Sequence, residues 1–176
     1  MQSTTATKAF LTRYSPAIKE QVAADRISAV AETTKNPRLQ DVINVYGAAA
    51  AADWLEVQLS HTFSLCGFDF LLGSDATVIH IGKVIAAEYN YLRLGELALF
   101  LLDFGQGKFG DHQTRFNEQK FFTALREFLK VRADLRERKM QEDKEKARAE
   151  AAKRAVPPPE NLQHLQSILN KINSEK

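Results

Sequence analysis

One cysteine, Cys66, five prolines and eight glycines are all that 176 residues hold of the types that staple, break or bend a chain. A single thiol excludes an intrachain disulfide framework and a cysteine-rich zinc site. So little glycine and proline argues against a turn-rich all-β fold. An excess of one charge is lacking too. Against 24 Lys and Arg stand 22 Asp and Glu, a formal net charge of +2. Any electrostatic pull on nucleic acid or membrane must therefore be local. The longest apolar stretch, 94–104, is interrupted by Gly95, Glu96 and Asp103. It falls far short of the roughly 20 residues of a membrane span, so no membrane partner is expected. The opening Met1-Gln2-Ser3-Thr4-Thr5 has neither a basic nor an apolar region. A standard signal peptide is not expected, and with an unpaired thiol the expected location is the cytoplasm. What is present suffices for a core: hydrophobic residues make up 44% and charged residues 26%. The length fits one domain plus a tail.

Hydrophobic spacing reads as helix almost throughout. Residues 1–13, rich in Thr and Ser, read as a loose start. Ser15-Pro16 reads as an N-cap and first helical position, with Ile18, Val22, Ile27 and Val30 at helical spacing up to Asn36-Pro37. A second helix starts near Pro37, with Leu39, Val42, Ile43 and Tyr46 as its apolar face. The alanine run 48–52 continues into Asp53–Leu59, narrow enough for close packing. The stretch 63–72 fits a buried loop or helical turn better than a strand without a partner. Val78, Ile81, Gly82, Ile85 and Tyr89 then share one helical face, and Leu94, Leu97, Leu101 and Phe104 another. Asn117 caps a long helix whose core face is Phe121, Phe122, Leu125, Phe128, Leu129 and Leu135. No internal repeat is evident.

Past Leu135 the apolar stripe ends, and 136–156 is rich in Arg, Lys, Glu and Ala. Between Glu118 and Val156 twelve basic residues face eight acidic ones. The pattern is a mixed-charge, solvated helix with i, i+4 pairs such as Glu142–Lys146. Its functional reading is phosphate contact through Arg126, Lys130, Arg132, Arg136, Arg138 and Lys139. Pro157-Pro158-Pro159 stops the helix. Leu162, Leu165, Ile168, Leu169 and Ile172 then form one face of a short amphipathic helix suited to a partner's groove or to the protein's own body. The expected architecture is all-α. A bundle of about five or six helices (1–135) is followed by a protruding charged helix (136–156) and a proline hinge with a terminal helix (157–176).

Catalytic signatures are missing. His61, His80, His112 and His164 form no HExxH motif and no i, i+4 metal pair. There is no GxSxG elbow, and Cys66 lacks a protease signature. Carboxylates read as spread over solvated faces. No catalytic residue, cofactor or metal ligand is predicted, and the chain is not expected to be an enzyme. Gly105, Gly107 and Gly110 match GxGxxG in spelling, yet a helix precedes them and no βαβ unit surrounds them. They read as a helix C-cap and tight turn. The functional alternative displays Lys108 and Phe109 as a recognition point for a partner.

One stretch resembles a known group. Ile85 to Leu97, followed by Leu99-Phe100 and Gly107-Lys108-Phe109-Gly110, is similar to the core of a small helical family, functionally uncharacterised, from phages and mobile elements of the Bacteroidetes. The likeness covers about 77–135. It implies a mobile-element setting, within the host cytoplasm or a virion, and no chemistry. The organisation is similar to that of small phage helicase loaders, which pair a helical body with a partner-engaging segment. The expected function is therefore a non-enzymatic interaction adaptor accessory to DNA replication. Its expected partner is a replicative helicase or other copies of itself, with at most weak, non-specific affinity for nucleic acid. The competing readings are direct nucleic-acid binding by the basic helix and a virion structural or packaged protein.

Overall fold

The computed structural model describes residues 2–31, 36–68, 75–110, 116–154 and 170–171. Among them the fold is all-α, with eight helices and no strand: α1 (Gln2–Arg13), α2 (Ile18–Ala24), α3 (Arg26–Ala31), α4 (Leu39–Tyr46), α5 (Ala48–Leu65), α6 (Asp75–Glu88), α7 (Leu94–Gly105) and α8 (Glu118–Arg154). The chain divides into two compact units, Met1–Lys139 and Met140–Lys176.

Local chemistry cuts the longer runs read from the sequence. Asp25 separates α2 from α3: its carboxylate accepts from the Ser28 N–H at 2.9 Å, as an N-cap does. Gly47, at φ +89°, separates α4 from α5. The loose start expected over 1–13 is instead α1. Thr and Ser are weak helix formers, but tertiary contact overrides propensity. Phe10 is buried, stacking on Tyr46 with ring centroids 4.9 Å apart, and α1 packs on α4 and α5.

Helix α7 is the centre of the first unit. The stripe expected there, Leu94, Leu97, Leu101 and Phe104, is buried, and so are 95, 96, 98–100 and 103 on the other faces. A helix so nearly apolar all round must be enclosed. Helices α2, α3 and α5 pack on it. The first half of α8 closes the rest through Phe121, whose ring meets Phe100 at 5.2 Å and Phe104 at 5.1 Å. Leu97, Leu101, Phe104, Phe121, Leu125 and Phe128 belong to one buried cluster, as their spacing predicts.

Two helix ends share one device. After α5, Gly67 takes φ +74°; its N–H bonds the Ser64 carbonyl and the Phe68 N–H bonds that of Phe63. After α7, Gly107 at φ +72° does the same, with Gly107 N–H to Phe104 and Lys108 N–H to Asp103. This is the Schellman motif, in which a left-handed glycine lets the chain reverse while satisfying the last carbonyls. It resolves 63–68 of the ambiguous stretch as a helix end, and the glycine cluster as a cap and turn; 69–72 lie outside the described residues.

Two helix starts carry the same short pattern, although no internal repeat is evident in the sequence. Arg38-Leu39-Gln40-Asp41 opens α4 and Arg93-Leu94-Gly95-Glu96 opens α7. In each, the acid three residues on accepts from the arginine N–H: Asp41 Oδ2 at 2.9 Å and Glu96 Oε2 at 2.8 Å. Arg38 and Arg93 then form an antiparallel bridge. Leu39 donates to Leu92, Gln40 to Asn90 and Leu94 to Pro37, at 2.8, 2.9 and 3.0 Å.

In the second unit, residues 140–153 are helical and exposed. The terminal amphipathic segment, with Leu162, Leu165, Ile168, Leu169 and Ile172, lies outside the described residues.

Candidate functional site

Carboxylates do not all sit on solvated faces, contrary to the sequence expectation. Glu96 and Asp103 are two turns apart on α7, and both are buried. A buried carboxylate must be paired and hydrogen-bonded. Each recruits two cations, three of the four from elements remote in sequence and one, Lys108, from the turn that follows α7. Glu96 Oε1 accepts from Arg132 Nε at 2.7 Å and from an Arg136 guanidinium nitrogen at 2.9 Å, both on α8. Asp103 takes a bidentate Arg26 from α3 at 2.8 and 2.6 Å and the Lys108 amine at 2.6 Å. Burial alone raises the Asp103 pKa. The hydrogen bonds from Arg26 and Lys108, with their charges, outweigh it and hold the carboxyl below its ordinary value.

This accounts for several residues singled out from sequence. Arg132 and Arg136 face inward to Glu96, and Arg132 also lies over the Tyr91 ring, 5.7 Å from its centroid. Arg126 donates to Thr123 Oγ1 at 3.1 Å, lining a cleft with Tyr89 and Phe122. Lys130 and Arg138 are exposed. Lys139 is half-buried, and its charge acts on Asp25. The six basic residues therefore do not form one outward row. Lys108 is tied to Asp103, and Phe109 packs on the core with its ring 6.0 Å from Phe100. Both serve the turn's own structure.

A second polar cluster went unnoticed in the sequence. Lys19 of α2 is buried, and its amine donates to Thr62 Oγ1 at 2.7 Å, to His61 Nδ1 at 3.1 Å and to the Gln58 carbonyl at 3.3 Å. Burial brings its pKa down to about 8, only partly opposed by the nearby Cys66 thiol. Burial likewise lowers the His61 pKa, helped by the Lys19 charge, and raises that of Cys66, which Lys19 opposes. A lysine at a core position of a helical stripe is the one sequence signal that pointed here. Residues 17–24 contain it between Ile18 and Val22, both buried. Next to this cluster, Trp54 Nε1 and Gln58 Nε2 both donate to the Tyr14 carbonyl, at 2.7 and 2.9 Å. They fix the corner between α1 and α2 on α5.

Among the described residues, no group of three or more His, Cys, Asp or Glu side chains could hold a metal ion. No described helix is long and apolar enough to cross a membrane. No protein-family profile, curated protein or solved structure matches the chain.

Proposed function

We propose that the protein is a non-enzymatic interaction adaptor, whose helical body anchors a long charged helix that carries a partner-binding tail. One observation carries this reading. Helix α8 is 37 residues long, but its buried residues end at Phe128 and its half-buried ones at Lys139. From Met140 to Lys153 every residue is exposed. Those turns contribute no core, and a helix kept without core packing is stabilised only by propensity and i, i+4 pairs. Carrying the aliphatic face of Leu162, Leu165, Ile168, Leu169 and Ile172 to a partner gives that length a purpose.

A replicative helicase, or a second copy of the chain, is the partner this reading names. The setting in a phage or mobile element rests on the sequence resemblance over 77–135. The test is deletion of 157–176. The thermal midpoint should stay unchanged, while co-elution with a replicative helicase, or self-association on sizing, should be lost. A truncated protein of much lower midpoint would show that the tail packs on its own body and would remove the reading's support.

Nucleic-acid binding through the long helix is weaker on this geometry, because Arg132 and Arg136 are already engaged by Glu96. A virion role would show as symmetric multimers in the intact protein.

A further inference from the structure

An ammonium taken out of water is costly without a counter-charge, and buried lysines usually meet a carboxylate. Lys19 is only 5% exposed, and no carboxylate pairs with it among the described residues. The titratable groups that act on it are the Cys66 thiol and the His61 imidazole. With a pKa near 8 it holds a substantial neutral fraction at mildly alkaline pH. The amine is then a nucleophile, where an ordinary surface lysine is almost wholly charged.

Its three partners differ in kind. The Gln58 carbonyl can only accept a hydrogen bond. The Thr62 hydroxyl and the His61 ring nitrogen can each accept or donate. Around an ammonium all three accept, and the Thr62 hydroxyl gives its own hydrogen to the Gln58 carbonyl at 2.9 Å. Around a nitrogen bearing an anionic group, the carbonyl would keep the remaining N–H, and the hydroxyl and imidazole would turn to donate. A cage built of carboxylates or carbonyls alone could not make that exchange.

We propose that Lys19 is a carbamylation site for carbon dioxide, its carbamate N–H donating to the Gln58 carbonyl and its two oxygens accepting from Thr62 Oγ1 and His61 Nδ1. The amine lone pair attacks the carbon of CO2 and a C–N bond forms. One C=O π bond becomes a carboxylate electron pair, and the proton leaving nitrogen passes to water or to His61. No oxidant or reductant takes part. Carbon dioxide is neutral, linear and small enough to reach a side chain that bulkier acylating reagents cannot. The position changes from positive to negative, so the Lys19 charge that now disfavours protonation of His61 is replaced by one that favours it.

The experiment uses the full-length protein equilibrated with isotope-labelled bicarbonate at pH about 8, where half of Lys19 is neutral. Carbon NMR detects the carbamate, and alkylation by a trialkyloxonium salt traps it for peptide mass spectrometry. The expected result is a carbamate resonance that disappears in Lys19→Met, with the trapped adduct on the peptide containing Lys19. The α-amino group also forms carbamates. A resonance that survives Lys19→Met, or an adduct confined to the amino terminus, overturns the proposal. Trapping on the unaltered protein decides the matter even where Lys19→Met fails to fold. Thr62→Val removes one donor to the carbamate and should lower its occupancy about tenfold, the equivalent of one charge-assisted hydrogen bond. Unchanged occupancy in that variant overturns the assigned cage.

Discussion

Glu96 has no water to turn to, so its charge is held by two arginines that sit four residues apart on one face of α8. Losing either leaves the other on the same oxygen. Losing both strands a buried carboxylate, which typically costs about 3–5 kcal/mol. Arg132→Gln and Arg136→Gln should each be mild, and the double variant should cost more than their sum. Chemical denaturation of the set measures this, and additive losses would mean that the two arginines act separately. Lys19 makes a pH-dependent contribution of the opposite kind. Its proton leaves the folded chain near pH 8, while the unfolded chain keeps it until about 10.5. Between those values the unfolded state binds more protons, so stability rises with pH across that window and levels off below about 8. The rise is on the order of 2–3 kcal/mol across the window. Lys19→Met should lack it in buffer free of CO2, and parallel pH profiles for the two proteins would refute the shifted titration.

Helices pack here by close approach as well as by bulk. A methyl group at Gly95 would overlap the Asn36 amide and sit 3.1 Å from the Ala29 carbonyl oxygen. Asn36 Oδ1 accepts from the Gly95 N–H at 2.7 Å, so the amide cannot simply move away. Gly95→Ala should cost about 1–3 kcal/mol, as overpacking does, and a midpoint equal to the parent's would show slack at that contact. Leu125, fully buried on α8, should lose roughly 2–5 kcal/mol on truncation to alanine. The helices of this body were largely legible from spacing, because apolar residues at 3.6-residue intervals must face something. Of the α6 face, Val78, Ile81, Gly82 and Ile85 are buried as read and Tyr89 is half-buried; of the α8 face, Phe121, Leu125 and Phe128 are buried and Phe122, Leu129 and Leu135 half-buried. What spacing missed depended on partners distant in the chain. Helix α1 exists through Phe10 on Tyr46, and Glu96 looks like any surface acid until Arg132 arrives from α8. A one-dimensional pattern carries no record of such meetings.

For the molecule as a whole, the first unit should stand without the charged turns. Among the described residues, a chain ended after Arg148 removes only exposed ones, and it keeps Arg136 well inside the helix. Its thermal midpoint should match that of the intact protein, and a large drop in calorimetry would show that the lost residues support the body. The candidate sites were less legible than the fold. The basic row on α8 was visible in sequence, but its division into Arg132 and Arg136, which reach Glu96, and Lys130 and Arg138, which do not pair with it, was set by where Glu96 is buried. The Lys19 cluster was invisible, since Lys19 and Thr62 are 43 positions apart. The bridge between Arg38 and Arg93 bears on how the protein breathes. The first amides of a helix ordinarily have no partner and trade their hydrogens with water quickly. Here the Leu39, Gln40 and Leu94 amides bond across the bridge, to backbone oxygens remote in the sequence, those of Leu92, Asn90 and Pro37. They can be released only when the starts of α4 and α7 part together. In deuterated water those three amides should exchange as a group, at the slow pace of the core, from positions where a helix is normally the first to fray.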